Sequence, residues 1–377
     1  MPNRVSFDDA NRRAGDTMND LARYHRQMLL PGIGPDGQRR LLDSRVLIVG
    51  CGALGTVIAD ALARAGVGAL TLVDRDVVEL TNLQRQVLFD EDDVREGRPK
   101  AIAARDRLAR VNSQARVHAV VEDFNHTNAE RLAEGADALL DGLDNFQTRY
   151  LLNDLSVSRG IPYFYGGAVG VTGMACAFLP TVPTPCLRCV FPEPPPPGST
   201  PTCDTAGVLA GAVAWVAHHQ AIQAIKFLTG NAEAVDRSLI TFDAWRNEFR
   251  RLDIAGARRD GACPCCGQRR FEYLHGAAGS SVTTLCGRGA VQINPRLDGA
   301  GRREGDASID LRVLAARLAP HGEFRVNDHL LRGRLRTEAG DNGAPIELTV
   351  FADGRTLVAG VEHPAQARAV FDRYIGG

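Results

Sequence analysis

The chain has 377 residues, 44% hydrophobic and 24% charged, an ordinary composition for a soluble globular protein long enough for more than one core. Lys and Arg total 44 against 45 Asp and Glu, and the formal charge of −1 excludes a bulk electrostatic footprint for nucleic acid or an acidic membrane surface. The mixed-charge N-terminus carries no apolar segment, which argues against a signal peptide or lipidation motif and makes the cytoplasm the expected compartment.

Residues 1–20 are polar with little periodicity and read as a flexible tail. Residues 21–45 read as a short helix, a Pro-Gly turn and a helix feeding the first strand. Arg23 and Arg26 lie three apart and share a helical face, for which a solvated basic face is the simplest account. Val46–Val49 is a short apolar run of the kind buried on both faces of a parallel sheet, and Gly50-Cys51-Gly52-Ala53-Leu54-Gly55 follows it directly. Glycine permits a sharp turn and lets main-chain N–H groups approach an anion at the start of the next helix, where the macrodipole adds attraction. Leu70–Val73 is the next strand, and Asp74 at its end is suited to accept hydrogen bonds from ribose hydroxyls. Strand, glycine turn, helix and terminal acid together predict a Rossmann-like nucleotide site. A tight structural turn without a ligand is the alternative.

Beyond Asp76, the polar stretch around Asn82, Arg85 and Lys100 falls at the carboxyl edge of the sheet, where open α/β folds bind ligands and where basic groups reach phosphates. A helix runs from Lys100 to Asn112, and strands are predicted over 116–121 and 138–145. The second of these closes on acids, and Asp144 is a candidate Mg²⁺ ligand, because Mg²⁺ takes one or two carboxylates and completes its shell with phosphate and water. A helix N-cap is the alternative role for Asp144 or Asn145. Strands follow over 163–169 and 173–179, then a proline run at 194–197 that favours extended polyproline. The stretch 206–230 is apolar nearly all round, but His218, His219, Gln220, Gln223 and Lys226 interrupt it, so it reads as a core helix rather than a membrane span, with the histidines as core or interface polar groups. Strands over 239–245 and 248–254 close a first domain that ends near 270. A linker over 271–284 leads to a small α+β module at 285–377.

The nine cysteines read as metal ligands or reactive thiols rather than disulfides. Cys186-x-x-Cys189 and Cys263-x-x-Cys266 form two knuckles, and four thiolates from distant segments suit a structural Zn²⁺ that clamps them together. A redox pair or an iron–sulfur cluster is the competing use. Cys265 is the spare thiol of its knuckle, while Cys51, Cys176 and Cys286 read as small buried hydrophobes. Cys203 precedes the long apolar helix, whose dipole would favour a thiolate nucleophile; a structural cysteine is the alternative.

Taken together, RYHRQ at 23–27, GCGALG at 50–55, DRD at 74–76, TNLQRQ at 81–86, RPK at 98–100, LDGLDN at 140–145, the two knuckles and CDTAGV at 203–208 resemble the ThiF/MoeB family of E1-like adenylyltransferases over residues 20–270. The resemblance implies an E1-type adenylation domain with a four-cysteine zinc site. It also implies that ATP with Mg²⁺ and the C-terminal Gly-Gly carboxylate of a ubiquitin-like sulfur carrier protein form an acyl-adenylate and pyrophosphate. On this sequence the family roles fall to Gly50, Gly52 and Gly55 at the nucleotide, Asp74 at the ribose, Asn82, Arg85 and Lys100 at the phosphates, and Asp144 at Mg²⁺. Arg26 would act across a homodimer as an arginine finger, and Cys203 would take part in later thioester or acyl-disulfide chemistry. A cysteine desulfurase or other sulfur donor is an implied partner; nucleic acid and membrane are not. The C-terminal module lacks the rhodanese signature of two-domain relatives and reads as a docking or regulatory unit. The terminal Gly376-Gly377 follows a helix, which disfavours a fused carrier tail. An NAD-dependent oxidoreductase, which shares the glycine pattern, and a non-catalytic scaffold that binds a ubiquitin-like protein are the rival readings.

Overall fold

The computed structural model describes residues 21–180, 184–194, 206–258, 261–277, 282–285, 289–293, 309–341 and 343–375. The 1–20 segment, Pro195–Pro197, Cys203, Cys286 and Gly376-Gly377 lie outside them.

After short helical turns at Ala22–Tyr24 and His25–Met28, helix α1 (Gly34–Asp43) leads into β1 (Arg45–Val49). Val46–Val49 are all buried because β1 lies between two parallel neighbours, β2 (Ala69–Val73) and β4 (Ala138–Asp141), with Leu47 opposite Thr71 on one side and Leu139 on the other. Helix α2 (Ala53–Ala65) crosses from β1 to β2 and stops at Gly66, whose φ of +90° closes the last turn. Helix α3 (Lys100–Val111) precedes β3 (Arg116–Val120), and α4 (Phe146–Arg159) links β4 to β5 (Tyr163–Val169). Then come β6 (Thr172–Phe178), α5 (Ala210–Leu228), β7 (Leu239–Asp243) and β8 (Glu248–Leu252). The eight strands form one sheet in the order β3-β2-β1-β4-β5-β6-β7-β8, parallel as far as β5 and antiparallel beyond it.

Helix α5 packs on α2, β5 and β6, which accounts for its uniform apolarity; among the described residues no helix is long and apolar enough to cross a membrane. Its two histidines part company: His218 is exposed, and half-buried His219 stacks on Trp215. Phe271 and Leu274, assigned to a linker from sequence, pack in the core of this first unit.

Contacts group the described residues up to Leu274, apart from 206–208, into the first unit. The second unit is an antiparallel sheet in the order β11-β12-β13-β14-β10-β9, from β9 (Val282–Leu285), β10 (Ala290–Ile293), β11 (Gly322–Val326), β12 (Leu330–Ala339), β13 (Pro345–Phe351) and β14 (Thr356–Ala359). Helices α6 (Leu311–Leu318) and α7 (Pro364–Tyr374) cover one face, where Leu314 and Phe371 meet Val291, Leu331, Leu348 and Val358.

Candidate active site

The turn after β1 uses its glycines in two ways. Gly50 has a φ of +92°, and a Cβ there would lie 2.6 Å from the Gly142 carbonyl oxygen; one on Gly55 would lie 1.8 Å from the Gly50 carbonyl oxygen. Both are demanded by the packing of the turn against α2 and the loop after β4. Gly52 is different, because its φ is −80° and the nearest atom to a Cβ, the Gly142 oxygen, is 3.7 Å away. Its missing side chain leaves open space at the N-terminus of α2, which has no side-chain cap. Free N–H groups at such an end, with the helix dipole behind them, suit a phosphate.

Asp74 stands beside that turn. Its Oδ2 accepts the Cys51 N–H at 2.6 Å and its Oδ1 accepts the Asp76 N–H at 2.7 Å, so the acid braces the loop while its remaining lone pairs stay available. Burial raises its pKa, and the Lys100 ammonium opposes that rise. Lys100, the first residue of α3, is only 3% exposed and its Nζ lies 3.4 Å from Asp76 Oδ2. A lysine so deeply buried beside an acid is placed to meet a phosphate oxygen. Buried Asn82 accepts the Glu79 N–H at 3.0 Å, and half-buried Arg85 donates to the Thr81 carbonyl at 2.8 Å.

The loop after β4 settles the capping question. Asn145 Oδ1 accepts the Thr148 N–H at 2.9 Å and caps α4, whereas Asp144 is exposed and makes no hydrogen bond among the described residues. An exposed carboxylate without a structural bond, at the carboxyl edge of the parallel strands, fits the donor set that Mg²⁺ takes in nucleotide sites. Arg26 is also exposed and without a hydrogen bond among the described residues. Its segment is anchored: the Arg23 guanidinium donates to the Val111 carbonyl, and Tyr24 Oη accepts from Asn112 Nδ2 at 2.8 Å.

Helix α4 also buries three polar groups that the sequence does not single out. Buried Arg149 pairs with Asp141 at 3.2 Å, and Asn153 and Asp154 reach toward the cysteine knuckles. Asn153 accepts the Leu187 N–H at 2.8 Å and donates to Cys265 Sγ at 3.2 Å, while Asp154 accepts the Tyr273 N–H at 2.9 Å. Polar residues at positions 149, 153 and 156 of a helix otherwise rich in Leu and Tyr were the available signal. Arg75, between the two acids of the DRD run, was also unassigned and pairs with Asp123 at 2.7 Å.

The Sγ atoms of Cys186, Cys189, Cys263 and Cys266 all lie within 4.8 Å of one another. Three of the separations are 3.9, 3.7 and 3.4 Å. Four sulfurs about 2.3 Å from a central ion in a tetrahedron would be about 3.8 Å apart, so the thiols fit a Zn²⁺-sized tetrahedral ion. Cys265 is fully buried and outside the cluster, and Cys51 and Cys176 are buried as expected.

A parallel sheet with a glycine turn and an uncapped helix terminus, a buried acid after β2 and a buried lysine at one edge is the arrangement of a nucleotide-binding α/β domain, here with a thiol cluster that could hold a metal. The chain belongs to the ThiF family, whose sequence profile matches residues 24–265. It is 39% identical over 355 residues to the sulfur carrier protein ThiS adenylyltransferase of Bacillus subtilis (strain 168), covering 94% of this chain and 99% of that one. The sulfur carrier protein adenylyltransferase of Thermus thermophilus is 42% identical over 67% of this chain and 92% of its own length. Among solved structures, E. coli MccB superposes with a TM-score of 0.57 at 26% identity over 66% of this chain and 74% of that one.

Proposed function

We propose that the chain is an ATP-dependent adenylyltransferase that activates the C-terminal Gly-Gly carboxylate of a ubiquitin-like sulfur carrier protein as an acyl-adenylate for sulfur transfer. The supporting observation is the uncapped helix terminus at Gly52, with buried Lys100 and unbonded Asp144 at the same sheet edge, in a chain aligned over nearly its whole length with a ThiS adenylyltransferase.

The chemistry asks little of acids and bases. The carrier carboxylate is already ionised near neutral pH, one of its oxygens attacks the α-phosphorus, and the bond to the bridging oxygen breaks as pyrophosphate leaves. Charge neutralisation and in-line positioning are what remain for the protein. Gly50, Gly52 and Gly55 shape the phosphate cradle, Asp74 orients the ribose, and Asn82, Arg85 and Lys100 hold phosphate oxygens. Asp144 would hold Mg²⁺, which when bound neutralises phosphate charge. Arg26 reaches the γ-phosphate of a partner's site, so the working unit is a homodimer. The four-cysteine cluster would hold Zn²⁺ as a clamp; four thiolates fill its tetrahedron and leave no open position for catalysis. Cys203 acts after adenylation, when a sulfur donor such as a cysteine desulfurase engages the activated carrier. The cytoplasm suits such an enzyme.

Carrier-dependent ATP–pyrophosphate exchange tests this reading, with a panel of Gly-Gly-ended carriers and controls lacking the last two glycines. Exchange with one carrier, lost with its truncated control, is the expected result. Silence across the panel with ATP binding intact would overturn it in favour of another carboxylate substrate or a scaffold.

A further inference from the structure

We infer that Arg149, through its buried pair with Asp141, is the positioning residue that aims the Asp144 carboxylate; the inference rests on the Mg²⁺ role proposed above for Asp144.

The parallel ladder between β4 and β5 is short, with Leu139 opposite Tyr163 and Leu140 opposite Phe164. Beyond it the carbonyls of both strands are satisfied by side chains from two helices. Gln220 Nε2 donates to the carbonyls of Asp141 at 3.0 Å and Phe164 at 2.9 Å. Arg149 Nη2 donates to the carbonyls of Leu143 at 2.7 Å and Gly166 at 2.9 Å. A fully buried carboxylate completes the arrangement: Asp141 Oδ2 accepts from Tyr163 Oη at 2.6 Å and Arg149 Nε at 3.2 Å, and its Oδ1 accepts the Leu143 N–H at 2.9 Å.

Leu143 is therefore gripped at both its N–H and its carbonyl, and Asn145 is fixed by its cap on Thr148. Asp144 lies between two pinned residues while its own side chain bonds to nothing among the described residues. The direction in which its side chain leaves the backbone is thus set by the residues on either side. The guanidinium has little freedom to drift, since it also faces the rings of Phe146 at 5.4 Å and Tyr165 at 5.3 Å. A lysine at 149 would keep the charge but not the planar fork that spans three acceptors.

The test measures ATP binding by calorimetry with and without Mg²⁺, and Mn²⁺ binding to the ATP complex by electron paramagnetic resonance. Arg149→Lys is expected to keep metal-free ATP affinity and to weaken Mn²⁺ binding about 10- to 100-fold, the range for lost support of a metal ligand. Tyr163→Phe, which removes one bond to Asp141 but leaves both grips on Leu143, should lower Tm without changing Mn²⁺ affinity. If Arg149→Lys does not fold, Asp141→Asn, which retains an acceptor for the Leu143 N–H, is read in the same way. Parental Mn²⁺ affinity in a folded Arg149→Lys protein, with Asp144→Asn strongly impaired, overturns the positioning role alone. Unchanged Mn²⁺ affinity in Asp144→Asn overturns the Mg²⁺ role on which it rests.

Discussion

Alanine substitutions at Gly52 and Gly55 should separate ligand space from folding space within one turn. At Gly55 the added Cβ would lie 1.8 Å from the Gly50 carbonyl oxygen, a backbone atom that no rotamer change can move. An ordinary carbon–oxygen contact is about 3.3 Å, so the turn must retreat by roughly 1.5 Å. Overpacking costs about 1–3 kcal/mol, and a clash between backbone and Cβ belongs at the upper end. For a unit of this size that is a fall in Tm of about 6–12 °C. At Gly52 the nearest atom is 3.7 Å away and φ is −80°, so alanine fits the unliganded protein. Reduced freedom in the unfolded chain should even stabilise it by about 0.4–1 kcal/mol. The overpacking then falls on the nucleotide complex, weakening ATP binding about 5- to 150-fold. Differential scanning calorimetry and ATP titration on both variants check this. A Gly52→Ala protein that binds ATP like the parent would refute the reasoning, as would a Gly55→Ala protein with unchanged Tm.

Other outcomes follow from the same geometry. The purified chain should carry one tightly held Zn²⁺, and its removal by chelation or by Cys263→Ser should lower Tm; an unchanged melting curve in metal-free protein would end the structural role. Asp144→Ala should abolish pyrophosphate exchange, whereas Asn145→Ala should cost about 1 kcal/mol of stability through loss of the cap. Cys203→Ala should keep exchange but lose sulfur transfer or carrier adducts, and loss of both would make the thiol structural. Burial alone would raise the Asp236 pKa, but the Ser238 backbone and hydroxyl and the Arg251 guanidinium bring it below the usual carboxylate value. A depressed acid stabilises the fold above its unfolded pKa and that contribution fades as pH falls. Arg251→Ala should therefore narrow the stability difference between neutral pH and about pH 3, seen as a smaller shift in urea midpoint; an identical shift would exclude this pair from the acid response.

Much of the first unit was legible because its elements obey local rules. Val46–Val49, the glycine turn and Leu70–Val73 announced themselves by period and composition, and the C-x-x-C pairs by spacing. The choice between Asp144 and Asn145 as cap was not legible, since either side chain can take that bond and only the backbone direction decides. Asp141 and Arg149 escaped because a carboxylate inside an apolar strand becomes meaningful only when its partner on α4 folds back over it. The ten-residue β12 of the second unit is hard to read from sequence for a different reason. Arg332, Arg334 and Arg336 alternate with Leu331, Gly333 and Leu335, and the glycine and the dense charge imitate a loop although the Leu face is buried. Glu347 on β13 bonds both Arg332 and Arg334, a cross-strand partnership that no local window contains.

The strand order also bears on how the chain is made. Residues of β1 pair with β2 a short distance on, but Val46 must wait for Ala138 before its other side is covered. Closing that gap is slow relative to the hairpin of β5 and β6, whose partners are neighbours in sequence. The Gly50 turn, which rests on Gly142, has its final shape only once β4 has docked. During synthesis, nucleotide affinity should therefore emerge abruptly when the β4 segment clears the ribosome, so that ATP retention by stalled nascent chains of increasing length would time the completion of the parallel half.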